Sequence, residues 1–454
     1  MKTTRLVLFA AALTLGLSAC DATTSAPATP AADSATSADA FEGDPWPAIR
    51  ERRLAELLPV AMDRVGVDAW LTICRENDND PMAAHIGCEN AGGTAAFLFF
   101  RTDDGVTSVG ISPAGEATAL AEKEMLDEVV VVERGSSPWA LVAAQFERFE
   151  PTTIAINSAL GGSGGPISDG LSHSQYLQLE EALGSRWMSR TVPSAPLIQD
   201  WLAIKLPEEV EIMRRAAEIT ARWEEEAYAA AVGGVTTDRD IADFLEAKMA
   251  EAGVLDAWSP EQNPAINSGK DRGHSHPTER VIQPGDFIQT DFGIRVHDRW
   301  VTDIQRFAYV LAPGETEPPP EALARWEAAK AGGRAAFAAM RPGATGADVD
   351  RAQREVMAER ESLPVMWSTG HPVGYWAHDS GPALSGGKPG ATPSGRQILE
   401  LREGMTFAFD GFFKWNLNDE ETKTISVEEM VVITADGAEW LTPPQEGLIL
   451  ISTP

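Results

Sequence analysis

Apolar and polar residues alternate with two different periods along the first folded part of the chain. Short apolar runs, for example Ala95–Phe100 and Val129–Val132, have the length and composition of strands, whereas Ala48–Val65 repeats its apolar residues at helical spacing. Strand-like runs separated by helical patterns are typical of an α/β domain. The sequence therefore predicts a smaller N-terminal α/β domain over residues 44–195.

Longer periodic segments follow in residues 196–454, which the pattern predicts to be a second domain. A helix is predicted from Pro207, a residue suited to the first helical turn, and a second one over 237–252, where Thr237 and Asp240 have the spacing of a capping box. Other elements are indicated by periodicity alone: helices over 320–340 and 346–360, and strands over 286–296, 299–311, 404–415 and 422–433.

The four predicted strands form two hairpins that bring acidic residues together. A three-residue loop at 296–298 would place Asp291 opposite Asp303, and a turn about Asp419 would place Asp410 opposite Glu428. Directly opposed residues share one face of a sheet, with Cβ atoms roughly 4.5–5.5 Å apart. A register shift of one residue in the second hairpin would bring Glu429 to this face in place of Glu428.

Carboxylates at this distance repel one another unless a cation lies between them. Four carboxylates and one imidazole, that of His371, are the ligands and the charge that two divalent cations prefer. The residues therefore predict a metal centre on one face of the second domain.

The order of these residues resembles the metal ligands of a known family. Asp291, Asp303, His371, Asp410 and Glu428 are similar to the Asp, Asp, His, Glu, Glu set of the pita-bread metallopeptidases, which include methionine aminopeptidase, aminopeptidase P, prolidase and the metal-free creatinase. Further motifs match in the same order: Asn267-Ser268-Gly269 with His274, Gly370-His371 with His378-Asp379, Gly404-Met405, and Glu428 to Gly437.

The resemblance implies a pita-bread catalytic domain over 196–454 and a creatinase- or prolidase-like domain over 44–195. It implies two divalent metal ions (Mn, Co or Zn), a metal-bridging hydroxide, and an exopeptidase that hydrolyses Xaa-Pro or related bonds in peptide substrates. His274 and His378 match the family's non-ligand catalytic histidines, and Asp410 takes the place of a candidate base. A homodimer remains open as the assembly.

Several positions depart from the family pattern. Asp410 stands where the family has Glu, Trp367 where aminopeptidase P and prolidase relatives have His, Pro372 where Gly is usual, and Ser426 where Arg is common. The shorter arm of Asp410 weakens the prediction of a second metal. Two alternatives therefore stay open: a catalytically silent pita-bread binding protein, and a creatinase-like hydrolase of a non-peptide C–N bond.

Charge and composition narrow the choice of partners. The 68 Asp and Glu residues outnumber the 37 Lys and Arg residues, which gives a net charge of −31. Such a field repels phosphate backbones, so no nucleic-acid partner is expected. Of the other histidines, His85 and His173 stand alone in the sequence, and His276 and His297 match no family role.

The N-terminus is predicted to be a targeting segment. Lys2 and Arg5 precede an apolar run, Leu6–Leu17, that is too short to span a bilayer. The sequence Leu17-Ser18-Ala19-Cys20 resembles the bacterial lipoprotein signal box, which implies a signal peptide over 1–19 and lipidation of Cys20. Residues 20–43 would be the lipidated cysteine and a flexible linker. An ordinary signal peptide with an incidental cysteine is the alternative.

The lipoprotein interpretation predicts that the protein is exported and anchored to a bacterial membrane. Asp21 resembles an inner-membrane retention signal, which would place the protein on the periplasmic face in a Gram-negative cell. Cys74 and Cys88 enclose a short polar loop and are either a disulfide or two free thiols.

Overall fold

The computed structural model describes residues 41–77, 79–88, 93–159, 165–387 and 390–454. The predicted signal peptide, Cys20 and nearly all of the predicted linker lie outside these residues. Among the residues that the structure describes, none of the helices combines the length and the hydrophobicity needed to cross a membrane.

A six-stranded mixed sheet forms the first part, with strand order β4-β3-β2-β1-β5-β6. Its strands are β1 (Ala69–Arg75), β2 (Thr94–Thr102), β3 (Gly105–Pro113), β4 (Glu128–Val132), β5 (Ile154–Ile156) and β6 (Thr191–Pro193). The helices around it are α1 (Trp46–Arg52), a π-helical turn (Arg53–Leu57), α2 (Leu58–Val65), α3 (Ala83–Ile86), α4 (Ala114–Glu122), α5 (Pro138–Phe149), α6 (His173–Met188) and α7 (Ala195–Ala203).

Strand β2 shows why its apolar run is continuous. Phe97 and Phe99 pack into one buried cluster, whereas Leu98 and Phe100 pack into another. Because successive side chains of a strand point to opposite faces, a strand that is covered on both sides is apolar at every position.

The second part is built on an eight-stranded sheet whose main path is β13-β14-β15-β12-β9-β8, with β16 paired to β15 and β17 to β12. Its helices are α8 (Pro207–Ala230), α9 (Asp238–Ala252), α10 (Pro320–Ala339) and α11 (Gly346–Glu359). The strands are β7 (Leu255–Asp256), β8 (Ala265–Ser268), β9 (Phe287–Phe292), β10 (Ile294–Val296), β11 (Trp300–Val301), β12 (Ile304–Val310), β13 (Gly370–Pro372), β14 (Thr406–Asn416), β15 (Thr422–Thr434), β16 (Gly437–Trp440) and β17 (Ile449–Ile451).

The helices of this part follow the sequence pattern closely. The Thr237 hydroxyl accepts a hydrogen bond from the backbone N–H of Asp240 at 3.1 Å, as predicted for the start of α9. Strands β11, β10 and β7 form a separate three-stranded sheet. The division predicted at 195/196 stays a prediction, because all three sheets lie in one compact unit.

The register of the two hairpins decides which residues meet. In the β14–β15 hairpin Asp410 lies opposite Glu428, as predicted. In the first hairpin Asp291 lies opposite Gln305, so the predicted pairing with Asp303 is wrong by two residues.

The position of the turn explains the difference. His297 and Asp298 have φ of 49° and 56°, in the left-handed region that Asp and His tolerate better than most residues. The loop therefore spans 297–299, one residue later than predicted, and Val296 pairs with Trp300. A shift of two residues preserves the side-chain face, so Asp291 and Asp303 still point to the same side.

A disulfide joins Cys74, in β1, to Cys88, which follows α3, and their Cα atoms are 6.3 Å apart. Both cysteines are fully buried. Of the two alternatives left open by the sequence, the structure has the disulfide.

Candidate metal centre

One row of side chains crosses four strands of the large sheet. Asp291 in β9 pairs with Gln305 in β12, Gln305 pairs with Glu428 in β15, and Glu428 pairs with Asp410 in β14. Directly paired residues point to the same face, so the three carboxyl groups and the amide of Gln305 face one side of the sheet.

The other two predicted ligands lie in the neighbouring row of the same face. Asp303 precedes Gln305 by two residues, and His371 pairs with Ala408, two residues before Asp410. The structure thus brings all five predicted metal ligands to one face.

Asp303, His371 and Glu428 form the tightest group. The His371 Nε2 atom is 3.7 Å from Asp303 Oδ2 and 3.7 Å from Glu428 Oε1. The donor atoms of the three residues all lie within 4.8 Å of one another, close enough to share one metal ion. We call these residues, with Asp291 and Asp410 beside them, the carboxylate cluster.

The remaining two carboxylates differ in their partners. Asp291 Oδ2 lies 2.6 Å from His274 Nδ1. Asp410 is 6% exposed, and its Oδ1 atom is buried without a hydrogen-bond partner in the described part of the chain. An unsatisfied buried acceptor costs about 1–3 kcal/mol, so a cation at this place would remove a real penalty.

Burial and mutual repulsion govern the protonation of the acids. Burial, and then the charges of Glu428, Asp291 and Asp410, raise the pKa of Asp303 well above its usual range. The pKa of Asp410 is raised in the same way by burial, Glu428 and Asp291, and that of Glu428 is raised to about 8 by burial and then Asp291. Burial and mutual repulsion therefore disfavour the simultaneous ionisation of these acids, whereas divalent cations would stabilise their charged forms.

The pKa values of two histidines at the cluster are shifted in opposite directions. Burial, and then the neighbouring His378, lower the pKa of His371 to about 3, which keeps this ring neutral and able to bind a metal. The hydrogen bond with Asp291 raises the pKa of His274 to about 9.

The two predicted catalytic histidines both lie at the cluster. His274 reaches it through Asp291, and the ring of His378 stands at right angles to that of His371 with centroids 4.3 Å apart. Both histidines are exposed, so they border the side from which a substrate would approach.

The loop that carries His378 is fixed by a buried ion pair. Lys205 Nζ lies 3.1 Å from Asp379 Oδ2, and this oxygen also accepts the backbone N–H of Tyr375 at 2.9 Å. Gly374 lies so close to the pair that a Cβ atom there would be 2.3 Å from Lys205 Cε and 2.4 Å from Asp379 Oδ2. A Cβ atom at this position would force the side chain of Lys205 or of Asp379 to move.

Gln305 contacts the cluster directly and was not singled out by sequence reasoning. Its Nε2 donates to Glu428 Oε2 at 2.6 Å, and its Oε1 accepts from Ser426 Oγ at 2.8 Å and from Gln289 Nε2 at 2.6 Å. The signal in the sequence was its position two residues after Asp303 on a strand, which places both on one face.

The neighbour Glu429 points to the opposite face. Its Oε2 is 3.0 Å from Arg306 Nη1, in a buried ion pair. The choice of Glu428 over Glu429 for the cluster therefore agrees with the observed register.

Three further residues that the sequence analysis discussed, His85, His297 and Trp367, have other surroundings. His85 is buried among aromatic rings, and His297 lies in the β10–β11 loop, 3.1 Å from the Gly43 carbonyl. Trp367 is 45% exposed and packs edge-on against Phe412, the residue two after Asp410 in β14. None of these three residues belongs to the group of Asp303, His371 and Glu428 whose donor atoms lie within 4.8 Å of one another.

The sheet with its inward-facing carboxylate cluster is the pita-bread catalytic fold of metallopeptidases. Residues 211–435 match the sequence profile of metallopeptidase family M24, and this part of the chain, which carries the whole cluster, belongs to that family.

Solved structures with the same fold match most of the chain. An X-Pro aminopeptidase from Thermotoga maritima superposes with a TM-score of 0.62 at 22% identity, covering 86% of this chain and all of that one. The dipeptidase PepE from Mycobacterium ulcerans superposes with a TM-score of 0.65 at 22% identity, covering 90% of this chain and all of that one. At this identity the likeness concerns the fold.

Sequence relatives match over shorter stretches. An Xaa-Pro dipeptidase from Pyrococcus furiosus is 28% identical over 262 residues, which cover 56% of this chain and 67% of the relative. The match to a relative from Mycoplasma genitalium is 24% identical and covers 54% of this chain and 63% of the relative.

Proposed function

We propose that this protein is a metal-dependent exopeptidase that hydrolyses Xaa-Pro or related peptide bonds. The observation that carries the proposal is the carboxylate cluster, in which buried acids and a neutral imidazole share one face of the sheet. One oxygen of this cluster, Asp410 Oδ1, is buried without a hydrogen-bond partner among the described residues. The named activities of the relatives from Pyrococcus furiosus and Thermotoga maritima support a peptide substrate.

Two divalent cations, Mn, Co or Zn, would be held by Asp291, Asp303, His371, Asp410 and Glu428. When bound, they would lower the pKa of a water molecule and polarise the peptide carbonyl. The carboxylate and imidazole donors suit each of these metals.

The protein's own groups supply positioning and proton transfer. His274 Nδ1 is engaged by Asp291, which leaves Nε2 to hydrogen-bond with the substrate. His378, exposed beside His371, borders the same space and can exchange a proton with the departing amine. Asp410 Oδ1, without a partner in the described residues, is the candidate acceptor for the proton of the attacking water.

The substrate side of the site differs from the family pattern at Trp367, Pro372 and Ser426. Ser426 is engaged by Gln305 and Gln289 and carries no charge. We therefore expect a preference for peptide length and sequence that differs from that of the relatives.

We also propose that the chain is exported, lipidated at Cys20 and tethered to a bacterial membrane through residues 20–43. The support is the sequence of residues 1–40, which lie outside the described part. Mass spectrometry of the mature N-terminus tests it: a diacylated or triacylated Cys20 agrees, and an unmodified N-terminus at another residue contradicts it. Light scattering would show whether the protein is a homodimer.

A catalytically silent binding protein is the second candidate. The specific observation in its favour is Asp410, whose side chain is one methylene shorter than the Glu of the family pattern. A creatinase-like hydrolase is less well supported, because the four other ligand types are retained here.

The deciding experiment is metal-dependent hydrolysis of Xaa-Pro dipeptides, longer Xaa-Pro peptides and peptides without proline. The protein loaded with Mn, Co or Zn is compared with Asp291→Ala and with Asp436→Ala, which removes an exposed carboxylate in the turn between β15 and β16. Cleavage that is lost in the first variant and kept in the second supports the peptidase.

The other outcomes separate the alternatives. No turnover with two cations bound would point to a different substrate on the same fold. No turnover with fewer than two cations bound would mean that Asp410 has inactivated the site and would favour the binding protein.

A further inference from the structure

The position of His274 is not determined by packing. Its side chain is 73% exposed and lies within hydrogen-bond distance of Asp291. An exposed side chain has access to several rotamers, so its hydrogen bond to Asp291 persists only if the backbone of His274 stays in place. The loop after β8 that carries His274 must therefore be held by other contacts.

Asp271, three residues before His274, fastens this loop to β15. Its backbone N–H donates to the Thr422 carbonyl at 2.8 Å. Its carboxylate accepts from Thr422 Oγ1 at 3.0 Å, from the Thr424 N–H at 2.8 Å and from Thr424 Oγ1 at 2.8 Å. Four hydrogen bonds thus join one loop residue to two residues of one strand.

Neighbouring residues support the same attachment. Between the two threonines, the buried Lys423 donates from Nζ to the Asn267 carbonyl at 2.9 Å. On either side of Asp271, Lys270 pairs with Glu421 at 2.8 Å, and Arg272 donates from Nη2 to the Ile266 carbonyl at 2.7 Å. The loop is therefore held at its start and at its middle.

The strand that receives the loop is the one that carries Glu428, four residues after Thr424. Asp271 therefore links the backbone of His274 directly to the strand of a cluster ligand. Only two residues separate Asp271 from His274, and one of them, Gly273, has a φ of 64°, a left-handed conformation that glycine adopts readily.

We propose that Asp271 is a positioning residue, which holds His274 against Asp291 by anchoring the loop to Thr422 and Thr424. Its effect on turnover rests on the proposed peptidase function, whereas its effect on the loop does not. The hydrogen bonds of Asp271 go to Thr422 and Thr424 and not to the metal-ligand candidates, so it acts through His274.

The first test is hydrogen exchange of the metal-free protein. Asp271→Ala is expected to raise amide exchange in residues 269–276 and to leave the rest of the sheet unchanged. Thr422→Val with Thr424→Val removes the two hydroxyl donors and should act in the same direction, whereas Thr422→Ser with Thr424→Ser keeps them and should match the wild type. Unchanged exchange in Asp271→Ala would overturn the proposal.

The second test is a double-mutant cycle on turnover. Asp271→Ala is expected to lower kcat about 10- to 100-fold, because a misplaced catalytic group is costly, with the affinity for Mn²⁺ measured by calorimetry unchanged. In a His274→Ala background the same substitution should change kcat less than about twofold, because its effect passes through His274. An equal loss of kcat in both backgrounds would overturn the proposal.

The two proposals can fail separately. If the wild type cleaves none of the peptides, the proposed function fails, and exchange alone decides the role of Asp271. Faster exchange confined to 269–276 then supports the anchor, and unchanged exchange refutes it.

Discussion

Replacing Glu209 by Gln should strongly destabilise the protein. Glu209 is fully buried at the start of α8, and its Oε2 lies 2.6 Å from Arg53 Nη1, a guanidinium that is also fully buried. The same carboxylate accepts hydrogen bonds from the Leu206 N–H, the Trp300 indole at 3.2 Å and the Tyr375 hydroxyl. Four donors therefore converge on one buried acid.

The magnitude follows from what the substitution leaves behind. Glutamine has a single oxygen, so its NH₂ group would face two of the four donors, and the charge of Arg53 would remain buried without its partner. Removing one member of a buried ion pair costs about 3–5 kcal/mol, and we expect a loss of this size in the free energy of unfolding.

Urea denaturation followed by tryptophan fluorescence measures the loss. The matched control is Glu439→Gln, since Glu439 also lies 2.6 Å from an arginine, Arg214, but is 57% exposed. Exposed pairs contribute about 0–1 kcal/mol, so this variant should be nearly as stable as the wild type. If both variants lose the same small amount, the reasoning from burial is wrong.

Three further predictions concern the site and its surroundings. Asp410→Glu adds one methylene toward the cluster and should tighten binding of divalent cations in calorimetry, whereas Asp436→Glu should not. Gly374→Ala forces a Cβ atom against Lys205 and should cost about 1–3 kcal/mol in urea denaturation while lowering kcat through displacement of His378. Burial lowers the pKa of Lys423 from 10.5 to about 8, so the unfolded chain binds more protons than the folded one between these two pH values. The free energy of unfolding should therefore rise with pH over this window and be lost again as the pH falls through 8. Lys423→Met should remove this pH dependence, which urea denaturation at several pH values would measure.

The sequence was sufficient where local pattern decides the structure. Two strand-like segments on either side of a turn about Asp419 predict the β14–β15 hairpin, and the pairing of Asp410 with Glu428 was predicted from them correctly. The first hairpin was wrong by two residues, because the choice of turn depends on the left-handed backbone of His297 and Asp298, which other residue types rarely adopt. Asp291 and Asp303 still lie on the same face of the sheet, because the register differs from the predicted one by two residues and side chains alternate with a period of two.

Long-range contacts were beyond the sequence pattern. Arg53 and Glu209 are 156 positions apart, and neither lies in a motif that singles it out. Gln305 sits between two predicted ligands, but its hydrogen bond to Glu428 depends on a third strand being placed beside β12. Pairings of this kind follow from the tertiary fold and not from the periodicity of any one element.

The disulfide makes the thiol count of this protein informative. The chain has three cysteines, and Cys74 and Cys88 form a disulfide with each other. A thiol reagent added to the unreduced, denatured chain therefore reacts with Cys20 alone. One titratable thiol would mean an unmodified Cys20, and a full-length precursor should give this value. A mature protein with an acylated Cys20 should give none, because a thioether has no ionisable sulfur. A colorimetric assay can therefore distinguish a chain that keeps a free Cys20 from one in which Cys20 has been acylated or removed.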